Sequence, residues 1–245
     1  MDQDLFRIGQ QLADVHRGLT AEPMEFDLLD RRWSLMPGVY SPTRGAATRL
    51  FSQWLPYPQG GSFLEVGCGT GVTAVTAALA GCARVVALDI NEAAVHNTRA
   101  NATRHGVADR VEVVHSDLFD ALDPADTYDV IFWNSNVIQA PAGYAFRDPL
   151  ERAVLDPGYE AHRRYLAQGI NRRTGTGRLF LGYNSLGHFD LLDRLATEAG
   201  LRIVRVREQT ELIGGQMNLA IELQLLELQP AFVGAQADGQ RPGSS

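Results

Sequence analysis

Residues 63–71, Phe63-Leu64-Glu65-Val66-Gly67-Cys68-Gly69-Thr70-Gly71, decide the fold. A short apolar run suited to a buried strand enters a turn with glycine at three alternate positions, and the small residues from Val72 to Ala80 continue it as a helix. Glycines at 67, 69 and 71 let the backbone turn sharply and approach a ligand closely, where any Cβ would collide. The spacing is G-x-G-x-G with an acidic residue, Glu65, two positions before the first glycine. It departs from the dinucleotide pattern G-x-G-x-x-G and lacks the Lys-Ser/Thr ending of a phosphate-binding loop. Alone, such a turn is also compatible with an ordinary strand-to-helix connection.

Outward from this turn, β-branched runs alternate with longer helical stretches, an order that implies parallel strands joined by covering helices. Strands are expected at 62–67, 83–89, 111–116, 128–134, 178–183, 201–208 and 218–228, with helices at 71–80, 91–105, 158–172 and 188–199. The fold class is therefore α/β: a Rossmann-like, seven-stranded, mostly parallel sheet with helices on both faces and an antiparallel last strand. Residues 1–58 read as an N-terminal helical extension over the carboxyl edge of the sheet, 59–229 as the ligand-binding domain, and 230–245, rich in Gly, Ala, Gln, Pro and Ser, as a disordered tail.

Two further strand ends carry carboxylates. The run Ala83-Arg84-Val85-Val86-Ala87-Leu88-Asp89 ends in an acid placed to accept two hydrogen bonds from a ribose diol, or else to cap the next helix, a role that Asn91 fits better. In His115-Ser116-Asp117-Leu118-Phe119, the Asp117 carboxylate can accept the exocyclic amine of an adenine, with Leu118 and Ile90 sandwiching the ring; a turn aspartate is the alternative. The three strand ends converge on the edge where open α/β sheets bind ligands.

Together FLEVGCGTG, ALDI, HSDLF and YDVIFWN resemble the successive motifs of class I S-adenosylmethionine-dependent methyltransferases over about 62–228, with a partial match near VYSPTRGAATRL. The resemblance implies that Glu65 and the loop Gly67-Cys68-Gly69-Thr70-Gly71 lie near the methionine part of S-adenosyl-L-methionine, that Asp89 binds the ribose and Asp117 the adenine. Sulfonium chemistry asks mainly for alignment of a nucleophile and exclusion of water, so neither a catalytic triad nor a metal is implied.

After the fourth strand comes Trp133-Asn134-Ser135-Asn136-Val137. Its position and flanks are similar to those of the peptide-release-factor glutamine N-methyltransferases, which carry Asn-Pro-Pro-Tyr here. This chain keeps Asn134 alone, without the stacking tyrosine. Asn134 is read as accepting from a nucleophilic amine, holding the amino group of the cofactor, or bonding local backbone. Ser135 and Asn136 either orient a ligand or are turn residues, and Tyr183 either offers a π face to the sulfonium or packs at the strand end. Tyr40, Thr43, Arg44, Asn184 and Ser185 are candidates for the rim, Arg44 being equally consistent with a solvated arginine, and His115, His162 and His188 read as surface or cap histidines rather than bases.

The 245 residues, 45% hydrophobic, suffice for one domain with additions, and the formal charge of −7 works against broad attachment to nucleic acid. The pairs Arg163-Arg164 and Arg172-Arg173 are expected on a solvated face. Cys68 and Cys82 form no metal or disulfide pattern, and the absence of a signal peptide or spanning segment leads to a cytoplasmic expectation with no membrane partner. The function expected is a methyltransferase acting at nitrogen or carboxylate oxygen of a small-molecule or peptide-like substrate, as a monomer or homodimer. The alternatives are a cofactor-cyclising enzyme that releases methylthioadenosine, a non-catalytic cofactor-binding module and, more weakly, a dinucleotide oxidoreductase.

Overall fold

The computed structural model describes residues 2–213 and 219–231. The chain opens with α1 (Gln3–Leu19), capped by the Asp2 side chain, and the hairpin β1 (Met24–Leu28) and β2 (Arg31–Leu35). Then follow α2 (Ala47–Trp54), β3 (Ser62–Val66), α3 (Val72–Leu79), β4 (Arg84–Asp89), α4 (Glu92–Arg104), β5 (Val111–His115) and β6 (Tyr128–Asn134). The short strands β7 (Ile138–Ala140) and β8 (Leu155–Pro157) precede α5 (Glu160–Gly169), β9 (Arg173–Asn184), α6 (Phe189–Glu198), β10 (Leu201–Ile213) and β11 (Leu219–Pro230).

Seven strands form one sheet in the order β10-β11-β9-β6-β3-β4-β5. β11 runs antiparallel to both of its neighbours, while the pairs from β9 to β5 are parallel. The inner strands carry no polar alternation: Phe63, Leu64, Ile131, Phe132, Leu179 and Phe180 are all buried, as expected where both faces of a parallel sheet are covered. Strand addition reverses direction between β3 and β6. Right-handed crossovers therefore put α3 and α4 on one face and α5 and α6 on the other, in keeping with the contacts within each pair. The reversal opens a crevice at the carboxyl ends of β3 and β6.

The expected strands and helices are present, with β9 and β10 longer than anticipated. The N-terminal segment differs from expectation because it is not purely helical. Residues 24–35 form a hairpin whose tight turn places Leu29 and Asp30 in the left-handed region. Its edge is tied to α4 by two buried asparagines: Asn101 Oδ1 accepts from Ser34 N at 2.9 Å, and Asn97 Oδ1 from Met36 N at 2.7 Å. The parallel β7–β8 pair likewise lies outside the expected strands. The expected tail lies, from residue 232 onward, outside the described residues. Among the described residues no helix is long and apolar enough to cross a membrane.

Candidate functional site

A cavity of about 410 Å3 lies at the carboxyl ends of β3, β4, β5 and β6. Its floor is the glycine turn. Gly67, Gly69 and Gly71 all have positive φ, at 66°, 54° and 80°. At Gly71 a Cβ would sit 2.7 Å from Thr98 Cγ2 on α4, so the helix packs against bare backbone there. At Gly69 a Cβ would meet nothing within 4 Å, and Gly69 is part of the cavity wall: this glycine leaves room on the open side of the loop.

The carboxylates around the turn hold its backbone. Glu65 Oε2 accepts from Ala74 N at 2.8 Å, so the strand caps the first turn of α3, whose N-cap residue Gly71 has no side chain to offer. Burial raises the Glu65 carboxyl to about 8, the nearby Asp89 charge adding to the rise and hydrogen bonds from Thr73 and Ala74 opposing it. Asp89 Oδ2 accepts from Gly69 N and Oδ1 from Asn91 N, both at 2.8 Å. Its carboxyl is likewise raised by burial, against the pull of those bonds. A carboxylate has about four acceptor positions, so these two bonds leave capacity for a diol. Asn91 caps α4 by accepting from Ala93 N.

Asp117 stands half exposed on the wall, paired with Arg164 at 3.1 Å. Ile90 and Leu118 line the same region, Leu118 in the left-handed conformation with φ 50°. Cys68 also lines the floor, where burial pushes its thiol up and Thr98 Oγ1 bonds its sulfur.

On the β6 side, Asn134, Ser135 and Asn136 all reach the cavity wall. They differ in their bonding. Among the described residues the Asn134 side chain has no hydrogen-bond partner, so its amide is available at the cavity wall. Ser135 is engaged by structure, its N and Oγ both donating to Gly182 O. Asn136 Nδ2 donates to Leu155 O at 2.8 Å and ties the loop to β8, leaving its buried Oδ1 without a partner among the described residues.

Several rim candidates are placed elsewhere. Tyr183 is the main correction: it is 2% exposed, is not part of the cavity wall, and shares a 2.8 Å hydrogen bond with Tyr159 OH. Strand alternation turns its ring into the core, away from any ligand at the strand tip. Thr43, Arg44 and Ser185 are exposed and outside the wall, whereas Tyr40 and Asn184 belong to it. His188 caps α6, and His115 Nε2 contacts Ile90 O at 2.9 Å. His162 is not a surface residue: fully buried, it bonds Asp156 Oδ2 through Nδ1 at 2.7 Å. Arg163 is exposed as expected, but Arg164 of the same pair turns inward to the cavity.

Other parts of the site went unread in the sequence. His16 of α1 is buried and stacks on Tyr40 with centroids 3.7 Å apart, while its Nδ1 accepts from Ser41 N, fastening the first helix to the rim. Burial, with the Arg44 charge, lowers its pKa to about 4, consistent with that acceptor role. Leu12, Phe146 and Leu150 supply apolar wall from α1 and the segment before β8. Apolar residues at helical spacing give α1 a buried face, and nothing in that spacing signals what the face meets.

The sheet order, the glycine turn and the acids at successive strand ends define the Rossmann-like fold of class I methyltransferases, and residues 63–153 match the family model described as a methyltransferase domain. Among proteins similar to this chain, a ribosomal protein L11 methyltransferase of Desulforamulus reducens is 46% identical over 83 residues, 33% of this chain and 26% of that protein. The chain thus matches only about a quarter of that relative's length. Among solved structures, a ribosomal protein L11 methylase of Lactobacillus delbrueckii subsp. bulgaricus superposes with a TM-score of 0.55 at 16% identity, covering 81% of this chain and 84% of that one. A T. thermophilus 16S rRNA methyltransferase in complex with AdoMet and guanosine has the same fold, with a TM-score of 0.55 and 18% identity over 86% of this chain and 50% of that one. The relatives are named for a ribosomal protein rather than for the release-factor glutamine suggested by the loop after β6.

Proposed function

We propose that this chain is an S-adenosylmethionine-dependent methyltransferase whose acceptor is a nitrogen of a peptide-like or protein substrate. The observation that carries the reading is the meeting of the Gly67–Gly71 turn, Asp89 and Asp117 around one 410 Å3 cavity, of a size suited to a small-molecule ligand. The residues fit the cofactor. Gly69 leaves open space beside the loop, Asp89 retains acceptor capacity for the ribose diol, Asp117 offers a carboxylate to accept the adenine amine, and Ile90 and Leu118 offer apolar faces to the ring. When bound, the cofactor supplies a methyl group already activated by the sulfonium.

The protein then has to orient and exclude water. Asn134, at the tip of β6 with its amide unengaged among the described residues, is the group to accept a hydrogen bond from the nucleophilic nitrogen and aim its lone pair. Leu12, Leu150 and Phe146 close the cavity on the other side with apolar surface. Similarity to L11 methyltransferases favours a protein acceptor over a free metabolite. The charge of −7 favours protein over RNA, as does the engagement of Arg172 and Arg173 by backbone carbonyls.

The test is incubation with methyl-labelled cofactor and, separately, purified L11, a ribosomal RNA fraction and a metabolite extract, followed by mass analysis. S-adenosylhomocysteine together with label on a protein nitrogen is expected. Methylthioadenosine formed from the cofactor alone would redirect the reading to intramolecular cyclisation, and label on RNA or a metabolite would replace the acceptor class.

A further inference from the structure

The turn that follows β5 is held by a residue far away in sequence. Leu118 occupies the left-handed region, an unfavourable conformation for a branched side chain without local compensation. Within the turn, Asp120 N donates to Asp117 O at 3.2 Å and Ser116 Oγ to Leu118 O at 2.8 Å. Across it lies the Arg164 guanidinium, with Nη1 3.1 Å from Asp117 Oδ2 and Nη2 2.9 Å from Asp120 Oδ2. One planar cation therefore bridges the two carboxylates that flank the strained residue.

The direction of Arg164 is itself determined by the fold. Helix α5 begins at Glu160 with no cap from its N-cap residue Tyr159, and Asp156 fills the role from β8, accepting from Ala161 N at 3.1 Å and His162 N at 3.0 Å. With the helix start pinned, Glu160, Ala161 and Arg164 share one face, and all three line the cavity. Asp117 carries a half-exposed side chain that, unpaired, would sample several rotamers. The ion pair occupies Oδ2 and leaves Oδ1 as the acceptor available to a ligand.

Resting on the methyltransferase reading above, we propose that Arg164 is a positioning residue for recognition of the cofactor base: it holds Asp117 and Leu118 so that the site distinguishes adenine from a purine lacking the exocyclic amine. Arg164 acts through Asp117. The consequence is selectivity for the base, with affinity for the rest of the cofactor left to the glycine turn and Asp89.

The experiment is calorimetric titration of the full chain with S-adenosylhomocysteine and with its deaminated analogue S-inosylhomocysteine, which presents a carbonyl oxygen where adenine has the amine. The wild-type protein is expected to prefer the adenine form by about tenfold or more, the scale of a hydrogen bond to a charged acceptor. Arg164→Met, which keeps the apolar stem, is expected to weaken S-adenosylhomocysteine about tenfold and the inosine analogue less than twofold, collapsing the preference. Arg164→Lys, lacking the planar fork, should fall between, and unchanged circular dichroism would exclude misfolding as the cause. Equal loss for both ligands, no loss for either, or no wild-type preference would overturn the proposal. Failure of the wild-type protein to bind S-adenosylhomocysteine would instead remove the functional reading beneath it.

Discussion

Asp89 Oδ2 accepts a hydrogen bond from Gly69 N at 2.8 Å, so the acid ending β4 holds the glycine turn that leaves β3. Its other oxygen takes Asn91 N, and one buried carboxylate thereby joins the turn to the start of the next helix. In Asp89→Asn, the side-chain NH2 must face one of these two backbone donors. Binding of S-adenosylhomocysteine is expected to fall at least tenfold, with a stability loss of about 1–3 kcal/mol from the unsatisfied N–H. Calorimetry and urea denaturation would measure the two effects, and unchanged values in both would refute the clamp.

The glycines of the turn should respond to substitution in different ways. Gly71→Ala places a Cβ against Thr98 at φ 80°, adding a clash to backbone strain, and is expected to cost about 2–4 kcal/mol of stability. Gly69→Ala meets open space and carries only the left-handed penalty, about 1–2 kcal/mol. Because that space is on the cavity wall, its loss of cofactor affinity should exceed its loss of stability. Melting temperatures and binding constants for both variants would expose a reversed order.

Glu65 should govern how stability responds to pH. Burial raises its folded-state carboxyl to about 8, above the ordinary glutamate value of 4.5. Between those values the unfolded chain has released a proton that the native protein retains, so this group's contribution is full below the lower value and is lost as pH rises through the higher one. The slope is at most about 1.4 kcal/mol per pH unit. Glu65→Gln cannot ionise, and its denaturation midpoint should change less between pH 5 and 8 than that of the wild-type protein. Parallel profiles would show that the carboxyl does not titrate in this window.

Asn134 and Tyr183, both candidates for the chemistry, are expected to separate cleanly. Asn134→Ala should leave S-adenosylhomocysteine binding within about threefold and lower methyl transfer about a hundredfold, as befits a group that orients the nucleophile. A large rise in the binding constant would assign its amide to the cofactor. Tyr183→Phe removes a buried partner from Tyr159 and should cost about 1–2 kcal/mol in stability with cofactor affinity unchanged.

Much of the glycine turn and of the strand ends around the cavity was legible because the signals are local. A buried strand, a turn built on positive φ and a small-residue helix are nearest-neighbour effects, and the acids at 89 and 117 sit at predictable strand ends. The hairpin at 24–35 was legible in principle, since Met24-Glu25-Phe26-Asp27-Leu28 and Arg31-Arg32-Trp33-Ser34-Leu35 both alternate, with Phe26 and Trp33 facing inward. It is masked by the helical spacing of the segments on either side, Gln3–Leu19 and Ala47–Trp54. Tyr183 shows a different limit. A strand-end tyrosine can face the ligand or the core, and the choice depended on Tyr159, which waits behind it from the start of α5.

What the sequence by itself determined is the sheet, its glycine turn and the edge at which the cavity opens, because these follow from period, propensity and backbone conformation within a few residues. Only the tertiary structure decided which distant side chains meet there: Arg164 with Asp117, His16 with Ser41, Asn136 with Leu155. Such contacts depend on how separately formed elements pack. A chain read one residue at a time carries the chemistry of each partner without the distance between them.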